Sequence, residues 1–193
     1  RNGEEEIIEL TEMESGLVAL PEDLTEEKRK AMDPNESAMM KIQGLSKTFG
    51  NFTAVQQSHF NIGGETCFGL LGSNGAGKTT TISMLTGLIT PSGGNAVING
   101  CNLLTEVKKI QGVMGVCPQH NHLWGPLTGE DHLKFYGRLK GYTGKELNEM
   151  VSLSLQAVNL KGKHTKKKSR EFSGGMKRRL SVACALVGLP KIV

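Results

Sequence analysis

The run Gly72-Ser73-Asn74-Gly75-Ala76-Gly77-Lys78-Thr79 constrains this chain more than any other feature, because it fits G-x-x-x-x-G-K-[ST] at every fixed position. Such a loop needs a strand before it and a helix after it. The apolar, β-prone residues 66–71 supply the first, and residues 77–86 read as the second. Gly75 and Gly77 carry no side chain, so successive backbone N–H groups can line a concave nest for phosphate oxygens. The start of the helix adds partial positive charge. Lys78 supplies a full charge, the Thr79 hydroxyl suits Mg²⁺, and Thr80 is placed for the neighbouring phosphate oxygens. Thr79, Thr80, Thr81 and Ile82 are all β-branched, a poor choice for helix propensity, so side-chain chemistry selects these positions.

Charge divides the chain. Residues 1–40 hold 12 acidic and 4 basic side chains, whereas residues 41–193 hold 7 acidic and 19 basic, so the overall charge of +4 hides two unlike regions. We expect an acidic flexible linker over 1–40, with a short helix at 25–32, and a folded domain over 41–193. A domain of that size buries roughly two thirds of its unfolded surface. The longest apolar stretch, residues 180–189, carries Ser181 and ends at Pro190, which is too short for a membrane span. The first residue is Arg and no signal-peptide pattern follows it, which reads as a piece of a longer polypeptide. Cys67, Cys101, Cys117 and Cys184 lie far apart, mostly in apolar runs, and read as buried reduced thiols. The acceptor-like sequences at Asn35 and Asn51 read as coincidental. Cys117, His120, His122 and His132 are possible metal ligands close in sequence, but their spacing matches no zinc module.

The expected elements give an α/β fold. Residues 40–49 and 55–62 alternate like antiparallel strands joined at Gly50-Asn51. Residues 96–99 form a further strand, 105–111 a short helix, and 113–117 an apolar strand ending at Pro118-Gln119. Thr128 is an N-cap opening a helix that carries Phe135 and Tyr136, and 145–158 is a second amphipathic helix. Phe172-Ser173-Gly174-Gly175-Met176 opens a last helix running toward Gly188, with Ser173 as its cap, and residues 191–193 begin a strand.

Over residues 41–193 this arrangement resembles the nucleotide-binding domain of ATP-binding cassette (ABC) proteins. Leu45 to Gly50 looks like their adenine-stacking A-loop, Gln119 occupies their Q-loop, and Ser173-Gly174-Gly175 their signature. Gly115-Val116-Cys117-Pro118-Gln119-His120-Asn121, the Phe135-Tyr136 helix and Met176 are similar to subfamily A, a group associated with lipid export. Phe172 and Met176 depart from the general Leu and Gln of the signature, the Met in the manner of subfamily A. The resemblance implies a P-loop NTPase-like core with an antiparallel β-subdomain and a helical subdomain, truncated before the family's Asp-Glu strand.

Site roles follow from the resemblance. Phe49 stacks on adenine, with Phe52 as its rival. Gly72, Ser73, Asn74, Gly75, Ala76, Gly77, Lys78, Thr79 and Thr80 hold the phosphates of ATP. Thr79 and Gln119 meet Mg²⁺. Lys78, Gln119 and Ser173 form the catalytic set, and Ser173, Gly174 and Gly175 read the γ-phosphate bound by a partner domain. The implied partners are a second nucleotide-binding domain in a head-to-tail pair and the transmembrane domains of a parent transporter, with the domain facing the cytoplasm and no nucleic acid. The resemblance makes the parent an ATPase that couples hydrolysis to transmembrane transport of lipids, and leaves this chain alone inactive for want of the Asp-Glu pair and the switch His. Two alternatives remain open: a soluble ABC-type ATPase acting on ribosomes or nucleic acid, encouraged by the basic run 161–170, and an ATP-binding regulatory module that never turns over. A GTPase or phosphate-transferring kinase leaves the Ser-Gly-Gly helix unexplained, and no Asn-Lys-x-Asp guanine reader is present.

Overall fold

Alternating residues pair β1 (Met40–Phe49) with β2 (Phe52–Ile62) through the tight turn at Gly50-Asn51. The structure, a computed structural model, describes residues 22–160, 162 and 166–193. β3 (Gly93–Ile98) joins the other edge of β1, and the short β4 (Cys101–Asn102) joins β3, giving antiparallel order β2-β1-β3-β4. Strict alternation would bury every second residue of β1, yet the buried ones are Met40, Ile42 and Leu45. A register shift at Gly44, where φ is +67°, absorbs the odd residue and keeps Leu45 on the core face.

On that face α2 (Lys78–Leu85) and α3 (Val107–Val113) close a first core that includes Ile42, Leu45, Val55, Met84, Ile98, Ile110 and Met114. Burying each large apolar side chain stabilises by ~1.5–3 kcal/mol. That packing, not propensity, holds the threonine-rich α2. A second core joins α4 (Gly129–Leu139), α5 (Gly144–Ala157) and α6 (Gly174–Leu186) around Leu133, Leu147, Val151, Leu155, Phe172 and Leu180. Leu147, Val151 and Leu155 are the stripe that the amphipathic pattern of α5 required. The segment 114–123 runs from the first core, at Met114, to the second, at Leu123.

Thr128 caps α4 as its sequence suggests. Its hydroxyl accepts the Asp131 N–H at 3.1 Å, and the Asp131 carboxylate accepts the Thr128 N–H at 3.0 Å. The Thr128 hydroxyl and N–H together hold the Asp131 carboxyl below its usual 3.8.

Four expectations need correction. α1 (Glu22–Met32) starts before residue 25 and packs on the β-layer: Ala31 is fully buried, the Gln43 amide donates to its carbonyl at 2.8 Å, and Lys41 Nζ donates to Asp33 O at 2.8 Å. The boundary drawn near Met40 from charge therefore falls between two elements that touch. Residues 1–21, the rest of the expected linker, lie outside the described residues, as do 161 and 163–165 of the basic run. Residues 66–71 form no strand. A strand is a relation between segments, and among the described residues none pairs with this one; Phe68 stacks on Phe60 with centroids 5.5 Å apart, and Leu71 is 90% exposed. Residues 113–117 likewise reduce to a single parallel bridge, Met114 to Ile192, with the Gly115 N–H donating to Ile192 O at 2.8 Å. An apolar groove of about 290 Å³ separates these two stretches. Finally, the cysteines are free thiols, but Cys67 is exposed and the others only partly buried. Burial pushes the Cys184 thiol up to about 12, with Cys117 nearby adding to it, which leaves Cys184 protonated and unreactive.

Candidate functional site

The phosphate loop is pressed against β2 at one point, and that point dictates its residue. Gly77 precedes α2 with φ at +80°, and a Cβ built there stands 2.4 Å from Ala54 O and 2.9 Å from Val55 Cγ2. No side chain fits. Gly75 has φ at +87° but open space around it. No side chain caps α2, so the N–H groups of its first turn are left for an external acceptor. Lys78 Nζ donates to Gly72 O at 2.7 Å and Ser73 O at 2.8 Å, which holds the ammonium on the loop itself. Thr79 is exposed and Thr80 half-buried, whereas the Thr81 hydroxyl is spent on Gly77 O at 3.1 Å. Uncapped donors, a held cation and a free hydroxyl form a donor set that fits a polyphosphate with its divalent ion.

The hairpin brings Phe49 and Phe52 opposite each other in register, both exposed, with Lys47 Nζ 5.1 Å from the Phe49 ring centroid. Either ring can offer a flat apolar surface. Just past them, Thr53 and Ala54 line a cavity shared with Gly75, Ala76 and Lys78, so this end of the hairpin adjoins the loop.

Ser173 begins α6, its Oγ accepting the Met176 N–H at 3.3 Å, and Gly174 and Gly175 present open surface beside it. Gln119 is exposed in an irregular segment. Sequence reasoning missed what joins these two: Arg178 Nη1 donates to Pro118 O, and the Ser181 hydroxyl lies 3.0 Å from Asn121 Oδ1. Positions 178 and 181, three apart on one face of α6, carry polar residues, but Lys177 and Arg179 beside them hide the pair in the sequence. The structure thus gathers the expected residues into two groups, the loop with α2 and β2, and the Gln119 segment with α6.

His132 is not available as a ligand. Its ring is fully buried, with Nε2 accepting the Trp124 N–H at 2.9 Å and Nδ1 donating to Thr128 O at 2.7 Å, which fixes a neutral tautomer. Among the described residues no group of three or more His, Cys, Asp or Glu could hold a metal ion.

The family model described as "ABC transporter" matches residues 55–193. The chain belongs to the ABC transporter family. It is 50% identical over 141 residues to ABC transporter A family member 12 of Arabidopsis thaliana, an overlap of 72% of this chain and 15% of that protein. To A family member 6 of the same plant it is 53% identical over 128 residues, 66% of this chain and 14% of that one. The chain therefore spans a small fraction of the curated relatives it matches. Among solved structures it is similar to an ATP-binding subunit of an ABC transporter, with TM-score 0.68, 26% identity, and coverage of 77% of this chain and 62% of that one. It also shares its fold with the ATP-binding cassette MJ0796, solved as a dimer in a post-hydrolysis state with ADP and Pi, at TM-score 0.69 and 23% identity over 79% of this chain and 71% of that chain. The architecture is an ABC ATPase core of α/β class.

Proposed function

We propose that this chain binds Mg·ATP as the nucleotide-binding domain of an ABC transporter of subfamily A type, whose transmembrane domains carry lipid across a membrane from which this domain faces the cytoplasm. The observation that carries the reading is the loop itself: Gly77 fits no side chain, α2 starts uncapped, and the Lys78 ammonium is held over the loop carbonyls. Gly72 to Gly77 present backbone donors to the phosphates, Lys78 exchanges its carbonyl partners for phosphate oxygens, and Thr80 adds a hydroxyl. Thr79 and Gln119 would hold Mg²⁺, which when bound neutralises charge on the phosphate oxygens. Phe49, with Phe52 as its rival, supplies the face for adenine, a contact worth ~1–3 kcal/mol by analogy with base-stacking platforms. The lipid cargo rests on the A-subfamily likeness alone. No helix among the described residues is long and apolar enough to cross a membrane, so the transport path belongs to other parts of the parent.

Ser173, Gly174 and Gly175 read the γ-phosphate on a second domain arranged head to tail. Titration with a fluorescent ATP analogue tests the binding step. Lys78→Ala should abolish binding, since it removes the full positive charge at the loop; equal affinity in both proteins overturns the assignment. The trans role of Ser173 is tested in the hydrolysing parent by mixing domains carrying Lys78→Ala with domains carrying Ser173→Arg. One composite site of the mixed pair is then intact, so activity returns on mixing only if loop and signature come from different domains.

A further inference from the structure

Past the bridge at Met114, residues 116–122 of the Gln119 segment form no strand or helix. The segment crosses from one core to the other, exposed at Gln119 and His120; Lys140 holds its start at Met114 O, and α6 supplies the side-chain hydrogen bonds at Pro118 and Asn121. The acceptor of Arg178 is the carbonyl of Pro118, which belongs to the same peptide group as the Gln119 nitrogen. Holding that oxygen fixes the peptide plane from which Gln119 departs. Ser181, buried at 5% exposure and one turn along α6, holds the side chain of Asn121 on the far side. Two contacts 60 residues apart in sequence thus bracket Gln119 from one helix face. Further along, a Cβ on Gly115 would stand 2.0 Å from Ala185 O, so the start of the segment lies flush against the end of the same helix.

The neighbouring cations divide the work differently. Arg179 donates to Val158 O and Asn159 O at 3.3 and 3.1 Å, closing the C-terminal end of α5, a contact that serves the helical core alone. Arg178 alone of the pair points at the segment that carries Gln119.

We propose that Arg178 and Ser181 are positioning residues that hold Gln119 in register with the signature helix beginning at Ser173, so that the residue meeting Mg²⁺ and the residue meeting the partner's γ-phosphate move as one body. The role rests on the function proposed above, in which Gln119 acts on the bound nucleotide. Arg is suited to it: a planar guanidinium loses less freedom per hydrogen bond than a lysine ammonium, and its charge strengthens a bond to a carbonyl.

The test uses the full-length protein that carries this domain, with Arg178→Met, Arg178→Lys, Ser181→Ala and Arg179→Met made alone and over Gln119→Ala. Losing one charge-assisted bond that orients a reacting group is expected to lower kcat for Mg·ATP by about ten-fold while KM stays within about two-fold. Arg178→Lys should recover part of the loss. Over Gln119→Ala, Arg178→Met and Ser181→Ala should cost nothing further, because the group they position is gone. An equal loss in both backgrounds would make them structural residues and overturn the proposal. Hydrogen exchange supplies a readout independent of turnover: the amides of residues 119–121 should exchange faster in Arg178→Met and Ser181→Ala, with β1 unchanged, whereas Arg179→Met should act on α5. Unchanged exchange at 119–121 also overturns it. Failure of the wild type to show Lys78-dependent turnover would refute the proposed function, and the exchange result would still decide whether α6 holds the segment.

Discussion

Alanine at Gly77 and alanine at Gly75 should differ in cost, although both glycines stand in the same loop with nearly the same backbone. Their φ values are +80° and +87°. An L-residue in that region costs ~1–2 kcal/mol, and the reduced freedom of the unfolded chain returns ~0.4–1 kcal/mol. For Gly75, whose Cβ would meet nothing within 4 Å, that is the whole effect, about 1 kcal/mol net. For Gly77 the new Cβ would lie 2.4 Å from Ala54 O, a backbone atom of β2 that cannot swing aside. Either the strand or the start of α2 must shift, and such overpacking costs ~1–3 kcal/mol more, for a total of about 3 kcal/mol. With a urea slope of ~2 kcal/mol per molar, the unfolding midpoint should fall by about 0.5 M for Gly75→Ala and about 1.5 M for Gly77→Ala. Equal shifts in the two variants, or a larger one at Gly75, would refute the close approach of loop and strand.

Thr128→Ala should cost ~1 kcal/mol at neutral pH by breaking the capping box of α4. Because the Asp131 carboxyl is held below 3.8 in the fold, the part of that contribution made by its bond with the Thr128 hydroxyl is present above 3.8 and is lost as the pH falls below it, so the gap between the urea midpoints of variant and wild type should narrow in acid, while the part from the Asp131 N–H to Thr128 Oγ bond remains. Burial first, and Lys28 second, depress His59 below 6.5, so the neutral ring is the one the fold prefers. Wild-type stability should therefore decline as the pH drops below 6.5, and His59→Gln should flatten that part of the profile. His132→Phe keeps the ring volume but leaves the Trp124 N–H without its acceptor, and should cost ~1–3 kcal/mol in the same melts. Ala31→Glu places a charge at a fully buried contact of α1, so trypsin should cut at Arg29 and Lys30 much faster than in the wild type.

What the sequence made legible was whatever a short stretch decides for itself. The helix opening at Lys78, the cap at Thr128 and the amphipathic helix expected over 145–158 each rest on local geometry, and each is found close to where its pattern put it. Residues 66–71 have strand propensity but no described partner, and propensity cannot supply a ladder. The docking of α1 escaped a reading based on charge because its contacts are a small buried residue, Ala31, and backbone carbonyls that every residue owns. His132 looked like a ligand in sequence since nothing there reveals that the Trp124 N–H and Thr128 carbonyl use both ring nitrogens. The link from Arg178 to Pro118 joins residues 60 apart, beyond the range of any periodicity.

The hydroxyl of Ser173 has one proton and two lone pairs, and the cap uses only a lone pair, on the Met176 N–H. Its proton remains to be given to an anion without loosening the helix. In the role proposed for Ser173, folding and ligand recognition draw on different valences of one oxygen, and mutation can separate them. An aspartate at this position would keep an acceptor for the helix while presenting a negative charge to any phosphate, whereas an alanine would remove both. A lineage drifting away from nucleotide use could thus abandon the ligand at residue 173 and still keep α6 intact.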